Sequence, residues 1–383
     1  MTNKTQQYRT ALAGQLATDE SNIFLYWKGR VALFALLKAM GIKTNDEIIV
    51  PGLTCVVVPN AILYTGATPI YVDVDKHTFN PSFEKIIATV TSKTRVIIVQ
   101  NTFGLSSDVD KIAAWAKNRN IYTIEDCAHG FGGIFKGRPN GTYCDASFFS
   151  TQWNKPFSTG IGGFALSNDT VLKNSLAEIN KELTEPSLKD NISLWILIRA
   201  RRYLLMPATY FILRRLYRWL SKYNLVIGSS ASEELESPVL PEKFFKAHCS
   251  VQVSAGLSSL RSFNELVDRR KQNALLYTDF LKRNGKFHVQ QEMHQNHSFL
   301  KYPILVNNRP AFEKAAERSR IELGDWFISP IHPITEGFSK WLLTLNNFPV
   351  ATEISSQVSN LPTETKHPQR VITFLEKNID LIL

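Results

Sequence analysis

Short apolar segments alternate with amphipathic segments between residues 29 and 166, and this alternation constrains the fold more than any other feature of the chain. The segments that we predict as strands are residues 48–50, 69–74, 95–99, 121–124, 146–149 and 163–166. The segments that we predict as helices are residues 29–40, 54–63, 81–90 and 108–118. Strands that alternate with helices of about ten residues form parallel sheets with crossover helices. The sequence therefore predicts an α/β fold.

Residues 121–163 contain an acid at the end of a predicted strand and a lysine in a loop, two side chains suited to catalysis. The apolar run 121–124 ends in Glu125 and Asp126, and Lys155 follows in a loop rich in Gly, Ser and Thr. A carboxylate at the end of a buried parallel strand lies where open α/β sheets bind ligands. A carboxylate for a protonated ring nitrogen and a lysine for a Schiff base are the minimum equipment for pyridoxal phosphate chemistry. Taken singly, Asp126 is equally well interpreted as an acid that caps a helix. Lys155, taken singly, is equally well interpreted as a surface lysine.

A dinucleotide site is the first rival for the glycines in this stretch. Gly130, Gly132 and Gly133 follow a strand, but the G-x-G-x-x-G pattern would need glycine where Phe135 stands. No hydrophobic helix opens there either. We therefore reject this interpretation.

Four segments in a fixed order carry a family resemblance: residues 45–51, 60–75, 124–129 and 147–163. Together they resemble the DegT/DnrJ/EryC1/StrS aminotransferases, nearly continuously over residues 29–168 and more weakly over the C-terminal part. The resemblance implies a fold-type I pyridoxal phosphate enzyme with a mainly parallel, seven-stranded sheet and a small C-terminal α/β domain. It also implies a homodimer with its sites at the subunit interface, and a nucleotide-linked keto-sugar as the usual substrate.

The resemblance also assigns roles to three residues around the cofactor ring. Lys155 falls on the catalytic lysine, and Asp126 on the aspartate that pairs with the pyridine nitrogen. His129 falls on the Gln or His that contacts the phenolic oxygen. These roles make chemical sense, because a carboxylate keeps the ring nitrogen protonated and a released lysine can move a proton.

For the cofactor phosphate, the resemblance implies contacts from Ser150 and from the amides of Gly29 and Arg30. From the residues alone, the helix that begins at Gly29 is either a phosphate-binding helix or a simple buried one. Arg30, and also Cys55 beside the cofactor ring, depart from the family pattern. Arg30 replaces a threonine, and Cys55 stands where an aromatic residue often covers the ring. We predict that Arg30 contributes to phosphate binding by charge-assisted hydrogen bonding.

Three domains or segments are predicted along the chain. Residues 1–171 form the large cofactor-binding domain, with residues 1–27 as a leader that packs onto it. Residues 172–248 form a basic, amphipathic helical insertion, and residues 249–383 form a long helix (250–280) and a small domain. In that small domain, His332 either lines the substrate cleft or has a structural role, so it stays outside the predicted catalytic set.

The insertion concentrates the positive charge of the protein. The chain has a formal net charge of +10, and seven basic residues without an intervening acid lie between Asp190 and Glu233. Apolar and aromatic residues separate them, and the longest uncharged run is too short to span a bilayer. A pair of helices in a membrane interface is the favoured interpretation for residues 193–228. A hairpin that covers a dimer or domain interface is the alternative, and no nucleic-acid partner is predicted.

The cysteines and the N-terminal composition predict where the protein works. Cys55, Cys127, Cys144 and Cys249 have no metal-ligand or disulfide-scaffold spacing, so we predict reduced thiols and no metal site. The first residues lack an apolar signal region. A cytoplasmic protein is expected, with a peripheral position on the inner face of the cytoplasmic membrane as the variant that the insertion allows.

The sequence thus predicts a pyridoxal phosphate-dependent aminotransferase. By resemblance, it would move an amino group from an amino acid, glutamate in the first instance, to a nucleotide- or lipid-linked keto-sugar of cell-surface polysaccharide or glycolipid synthesis. A ping-pong mechanism through Lys155 is expected. Two alternatives stay open, a pyridoxal phosphate-dependent sugar dehydratase and a non-catalytic membrane-associated scaffold. The retained Lys155 speaks against the dehydratase, whose relatives carry histidine there.

Overall fold

The computed structural model describes residues 3–106, 108–204, 209–222, 232–241 and 243–383. The predicted segment 193–228 lies partly outside these described residues.

The N-terminal half is built around one large sheet. Its elements are α1 (Asn3–Leu16), β1 (Ile23–Tyr26), α2 (Gly29–Ala39), β2 (Glu47–Pro51), β3 (Thr54–Cys55), α3 (Val57–Leu63), β4 (Thr68–Val72), α4 (Phe83–Thr89), β5 (Thr94–Gln100), α5 (Val109–Lys117), β6 (Tyr122–Asp126), β7 (Ile134–Phe135), β8 (Arg138–Pro139), β9 (Ala146–Ser150), β10 (Gly163–Ser167) and α6 (Thr170–Ile179). Seven of these strands pair in the order β1-β10-β9-β6-β5-β2-β4. All neighbours from β4 to β9 are parallel, and β10 is antiparallel to both of its neighbours. The predicted α/β fold with a mainly parallel sheet is confirmed.

The rest of the chain forms helices and two short strand pairings. Its elements are α7 (Leu188–Leu204), α8 (Tyr210–Lys222), α9 (Ser232–Glu236), α10 (Ser250–Leu260), α11 (Phe263–Arg283), β11 (Tyr302–Leu305), α12 (Arg309–Arg318), β12 (Ile331–His332), α13 (Pro349–Gln357), β13 (Val358–Leu361) and α14 (Pro368–Lys377). β11 and β13 form an antiparallel pair in the C-terminal domain, whereas β12 reaches back to pair with β3 of the large domain. The cleft described below lies where these two parts meet.

The central strands are buried on both faces, which explains their unbroken apolar runs. In β2, Ile48 and Val50 belong to one core cluster and Ile49 to the cluster on the opposite face. Helices cover both faces of such a sheet, so strict alternation of apolar and polar residues is absent. Polar side chains that end these strands therefore emerge at one edge, where ligands bind.

Two predicted helices are wrong in part. Residues 54–63 begin as a strand, because Thr54 and Cys55 pair with Ile331 and His332 and only the following residues are helical. The predicted long helix over 250–280 is interrupted after Leu260. Its second part begins at Phe263, whose buried ring packs 5.0 Å from that of Phe131. In both places, contacts with distant segments override the local pattern.

The predicted leader, residues 1–27, packs onto the rest of the chain. α1 packs against α10, and β1 is the edge strand of the main sheet. Tyr26 and Trp27, at the end of this leader, are buried.

The helices α7, α8 and α9 lie in the segment predicted as an insertion. At its two ends, Thr184 forms a bridge with Lys246, and Tyr26 forms another with Ala247. The start and the end of this excursion are therefore adjacent beside β1. Within the described residues, no helix is long and apolar enough to cross a membrane.

Candidate active site

A cleft opens where β6, β9 and the beginning of α2 converge. Six of the seven predicted site residues line it: Gly29, Arg30, Cys55, Asp126, Ser150 and Lys155. These residues come from four separate stretches of sequence, and the parallel sheet brings them to one edge. The seventh, His129, is not among the lining residues.

Asp126 is the last residue of β6 and is only 5% exposed. Its Oδ1 accepts a hydrogen bond from the Ala128 N–H at 2.9 Å. Burial raises the pKa of this carboxyl to about 6, although the Ala128 N–H and the Lys155 charge act in the opposite direction. A buried carboxylate of this kind is stabilised by any cation that comes to face it.

Lys155 presents a buried primary amine to the same cleft. Its Nζ lies 4.0 Å from the centroid of the Trp326 ring, and the residue is 8% exposed. Burial lowers the pKa of Lys155 to about 8, against the opposing effect of Asp126. A larger fraction of the amine is therefore neutral near pH 7 than in a surface lysine, which suits a nucleophile.

The N-terminus of α2 forms the third side of the cleft. Gly29 packs so closely on β9 that an added Cβ would lie 2.9 Å from the Phe149 carbonyl oxygen and 3.0 Å from Ser150 Cβ. The first amides of a helix have no intrahelical partner and favour anions. Lys28, directly before the helix, also lines the cleft, and burial lowers its pKa to about 8. This side therefore combines amides, a hydroxyl and cationic side chains, which are groups that suit an anion, and we refer to it as the anion seat.

Arg30 has a carboxylate partner that the sequence did not reveal. Its Nη1 lies 2.5 Å from Oε2 of Glu234, and the two side chains are 7% and 3% exposed. Glu234 belongs to α9, near the end of the predicted insertion. The predicted contact of Arg30 with phosphate therefore competes with an ion pair already in place.

The C-terminal domain closes the cleft through Trp326. Its ring lies 4.7 Å from that of His332 and 5.0 Å from that of His129. The β3–β12 pairing places His332 opposite Cys55 and so fixes this wall on the large domain. Burial raises the pKa of the Cys55 thiol, so this side chain stays protonated near neutral pH.

His129 lies behind this wall and is buried. Its Nδ1 accepts a hydrogen bond from the Phe103 N–H at 3.2 Å, and its ring stacks on that of Phe103. Burial, reinforced by the charge of Lys155, holds the pKa of His129 well below its usual value. The ring is therefore neutral, with its hydrogen on Nε2. Its predicted contact with a cofactor oxygen stays a prediction.

A profile of the DegT/DnrJ/EryC1/StrS aminotransferase family matches residues 26–190 and 249–374, more than half of the chain. This protein belongs to that family. The match includes every predicted site residue and leaves out residues 191–248, where most of α7 and all of α8 and α9 lie.

Curated relatives match over shorter stretches. GDP-perosamine synthase of Escherichia coli O157:H7 is 45% identical over 158 residues, which cover 41% of this chain and 42% of that protein. L-glutamine:scyllo-inosose aminotransferase of Streptomyces griseus is 37% identical over 141 residues, or 37% of this chain and 33% of that protein. The matched part of this chain thus spans less than half the length of these relatives.

Solved aminotransferase structures match over nearly the whole chain. The aminotransferase from Psychrobacter cryohalolentis superposes with a TM-score of 0.76 and 21% identity, covering 99% of this chain and 91% of the other. A DegT/DnrJ/EryC1/StrS aminotransferase from Brucella abortus gives the same TM-score at 18% identity, with the same coverage. At this identity the likeness establishes the fold, and it confirms the predicted family architecture.

Among the residues at the cleft that were not predicted for the site, three bear on its chemistry: Lys28, Glu234 and Trp326. The position of Lys28, directly before the family's phosphate helix, would have been a usable signal. Trp326 has no sequence spacing that ties it to Lys155. Glu234 lies in the segment outside the family match, so nothing local connects it to Arg30.

Proposed function

We propose that this protein is a pyridoxal phosphate-dependent aminotransferase that moves an amino group from an amino acid to the keto group of a sugar. One observation carries the proposal: the buried carboxylate of Asp126 and the buried amine of Lys155 open on the same cleft as an anion seat. The names of the relatives, a GDP-perosamine synthase and a scyllo-inosose aminotransferase, support a sugar-like acceptor.

The residues present fit the cofactor on three sides. Asp126 suits a protonated ring nitrogen, Lys155 suits an aldehyde, and the beginning of α2 suits a phosphate group. When bound, pyridoxal phosphate supplies the electron sink that stabilises negative charge on the donor's Cα. The donor set is therefore complete for the ring nitrogen, the aldehyde and the phosphate.

Each side chain then has a defined task. The Asp126 carboxylate accepts the hydrogen bond of the ring nitrogen and keeps that nitrogen protonated. Lys155 Nζ would move a proton from the donor's Cα to the carbon that bore the cofactor's aldehyde, and in the second half-reaction from that carbon to the sugar carbon that receives the amine. Trp326, 4.0 Å from Nζ, shields this proton transfer from water. The amino-acid donor and the keto-sugar acceptor bind at the same site one after the other, and this order gives ping-pong kinetics.

The finer assignments are also proposals. Glutamate is the proposed donor, and glutamine is the alternative suggested by the name of one relative. The acceptor is proposed to be linked to a nucleotide or a lipid and to serve polysaccharide or glycolipid synthesis in the cytoplasm. A homodimer is proposed because the family resemblance implies it.

Absorption spectroscopy tests the activity. Purified protein with pyridoxal phosphate should show a visible band that glutamate removes, and Lys155→Ala should show neither the band nor its response. Lys117→Ala, which changes an exposed lysine of α5, is the control and should behave as wild type. A wild-type protein without the band would refute the proposal and favour the scaffold. A band without amine transfer, but with loss of water from the sugar, would favour the dehydratase.

We also propose that the helices α7 and α8 contact a membrane surface. One face of α7 is anchored to the large domain, because Leu194 is buried against Trp27, Ile161 and Cys249. Large apolar side chains elsewhere on these helices are about half exposed or more: Ile192, Trp195, Ile196, Tyr203, Leu204, Ile212, Leu216 and Trp219. Arginines lie among them, and the Arg199 guanidinium sits 5.4 Å from the Trp195 ring. Aromatic and cationic side chains on one surface suit the head groups of anionic lipids.

Vesicle sedimentation tests this contact. Wild type should sediment with anionic vesicles and much less with neutral ones, and a double variant, Trp195→Ala with Trp219→Ala, should lose most of that binding. Trp115→Ala is the matched control, because Trp115 also lies against an arginine, Arg119, but on α5. If the double variant instead sediments normally but loses its dimer in light scattering, these helices cover a subunit interface.

A further inference from the structure

The short helix α9 contacts the cleft residue Arg30 and two residues outside the cleft, Asn60 and Lys340. Glu234 binds the Arg30 guanidinium at 2.5 Å, and the Glu234 carbonyl oxygen accepts a hydrogen bond from Asn60 Nδ2 at 2.9 Å. The Glu236 carbonyl oxygen accepts another from Lys340 Nζ at 2.8 Å. Only the first of these contacts is an ion pair. The end of the insertion therefore rests on a residue that lines the cofactor cleft.

The net charge on this side of the cleft favours replacement of the Glu234 carboxylate by a phosphate. With Glu234 in place, the charges of Lys28, Arg30 and Glu234 add to one positive charge, whereas two remain when the carboxylate leaves. A phosphate monoester carries about −1.5 to −2 near neutral pH, so the second arrangement matches it. A phosphate beside the buried Glu234 would also face an uncompensated like charge in a region of low dielectric constant.

We propose that Glu234 and the cofactor phosphate compete for Arg30, so that arrival of phosphate displaces Glu234 and releases α9 from the cleft. This rests on the proposed function, since it takes the beginning of α2 as the phosphate seat. In the cofactor-free protein, the Glu234 carboxylate binds Arg30 at the place that the phosphate takes when it arrives. The insertion thereby responds to cofactor loading at the site, without contact with the reacting atoms.

Amide hydrogen exchange over residues 232–241 tests the exchange of anions directly. In the cofactor-free wild type, inorganic phosphate or pyridoxal phosphate should raise the exchange rate of this segment severalfold. Glu234→Gln should exchange fast from the start and show no further response. Glu236→Gln, two residues along the same helix with an exposed side chain, should behave as wild type.

Phosphate affinity, measured by calorimetry on the same variants, shows whether Glu234 opposes or supports phosphate binding. Glu234→Gln should bind inorganic phosphate about tenfold more tightly than wild type, because a competing charge is gone. Weaker binding, or stronger protection of residues 232–241 by phosphate, would overturn the proposal and make Glu234 a residue that positions Arg30. Glu234→Asp, which retains the charge, should stay close to wild type and shows that any gain of Glu234→Gln comes from the charge.

The two proposals fail in distinguishable ways. Inorganic phosphate has no aldehyde, so its effect on α9 should also be seen in Lys155→Ala. If α9 does not respond while the visible band forms on wild type, only the exchange of anions is refuted. If α9 responds but the band never forms, the site binds phosphate without the proposed chemistry.

Discussion

Gly163→Ala should damage both the fold and the anion seat, because Gly163 meets the beginning of α2 backbone to backbone. A Cβ at this position would lie 2.3 Å from both the Cα and the N of Gly29, and 2.7 Å from the Phe149 carbonyl oxygen. Ordinary contacts between carbon atoms are about 3.5–4.0 Å, so Gly29 or β10 would have to move by more than 1 Å. All three neighbouring atoms are backbone atoms, which cannot rotate away.

The expected loss follows from the cost of overpacking. Extra methyl groups in a well-packed core cost about 1–3 kcal/mol, and rigid neighbours favour the upper end of that range. Gly14→Ala provides the matched control, because an added Cβ on this exposed residue of α1 has no neighbour within 4 Å. Alanine stabilises a helix interior by about 0.5–1 kcal/mol relative to glycine. The same methyl group should therefore change the free energy of unfolding with opposite signs at the two positions.

Thermal unfolding followed by circular dichroism measures this difference. A loss of about 3 kcal/mol lowers the Tm of a domain of 150–250 residues by roughly 6–12 °C. We expect Gly14→Ala to melt above wild type and Gly163→Ala well below it, with weaker binding of inorganic phosphate as well. A Gly163→Ala protein that melts with wild type and binds phosphate normally would show that α2 is free to shift, and the reasoning would be wrong.

Three further predictions concern the charges of the cleft. In stopped-flow measurements, the rate at which the visible band forms with pyridoxal phosphate should rise about tenfold per pH unit up to about pH 8 and then level off. The reason is that only the neutral amine of Lys155 attacks, and its pKa is about 8. A rate that continues to rise up to pH 10 would contradict this prediction. Trp326→Ala should move that midpoint upwards towards 10.5 by exposing Nζ to water, whereas Trp326→Phe should leave it near 8. Burial raises the pKa of Asp126 from 3.8 to about 6, because the folded protein favours the protonated carboxyl. The contribution of this carboxyl to the free energy of unfolding is therefore fully present below pH 3.8 and is lost as the pH rises through 6. Cofactor-free Asp126→Asn should accordingly resist urea better than wild type at pH 7, by about 1–3 kcal/mol, and equally below pH 4; a constant difference at both pH values would contradict the buried carboxylate.

The sequence predicted those parts of the fold and site that depend on local patterns. Apolar runs bounded by turn residues located the six strands from β2 to β10 that form the parallel core and its antiparallel neighbour, and the strand-end acid and the loop lysine located Asp126 and Lys155. The pairing of Cys55 with His332 could not be predicted, because a two-residue strand is defined by its distant partner and not by its own periodicity. The ion pair of Arg30 with Glu234 was missed for the same reason, since charge alone does not say which carboxylate an arginine meets.

The bridge between Thr184 and Lys246 has a consequence for how the chain can change over time. A segment that leaves and rejoins the body at one point can lengthen or shorten without moving the strands on either side. Each doubling of such a loop costs only about 0.6 kcal/mol of closure entropy. Selection can therefore change residues 185–245 while the edge of the sheet that carries Asp126 stays as it is.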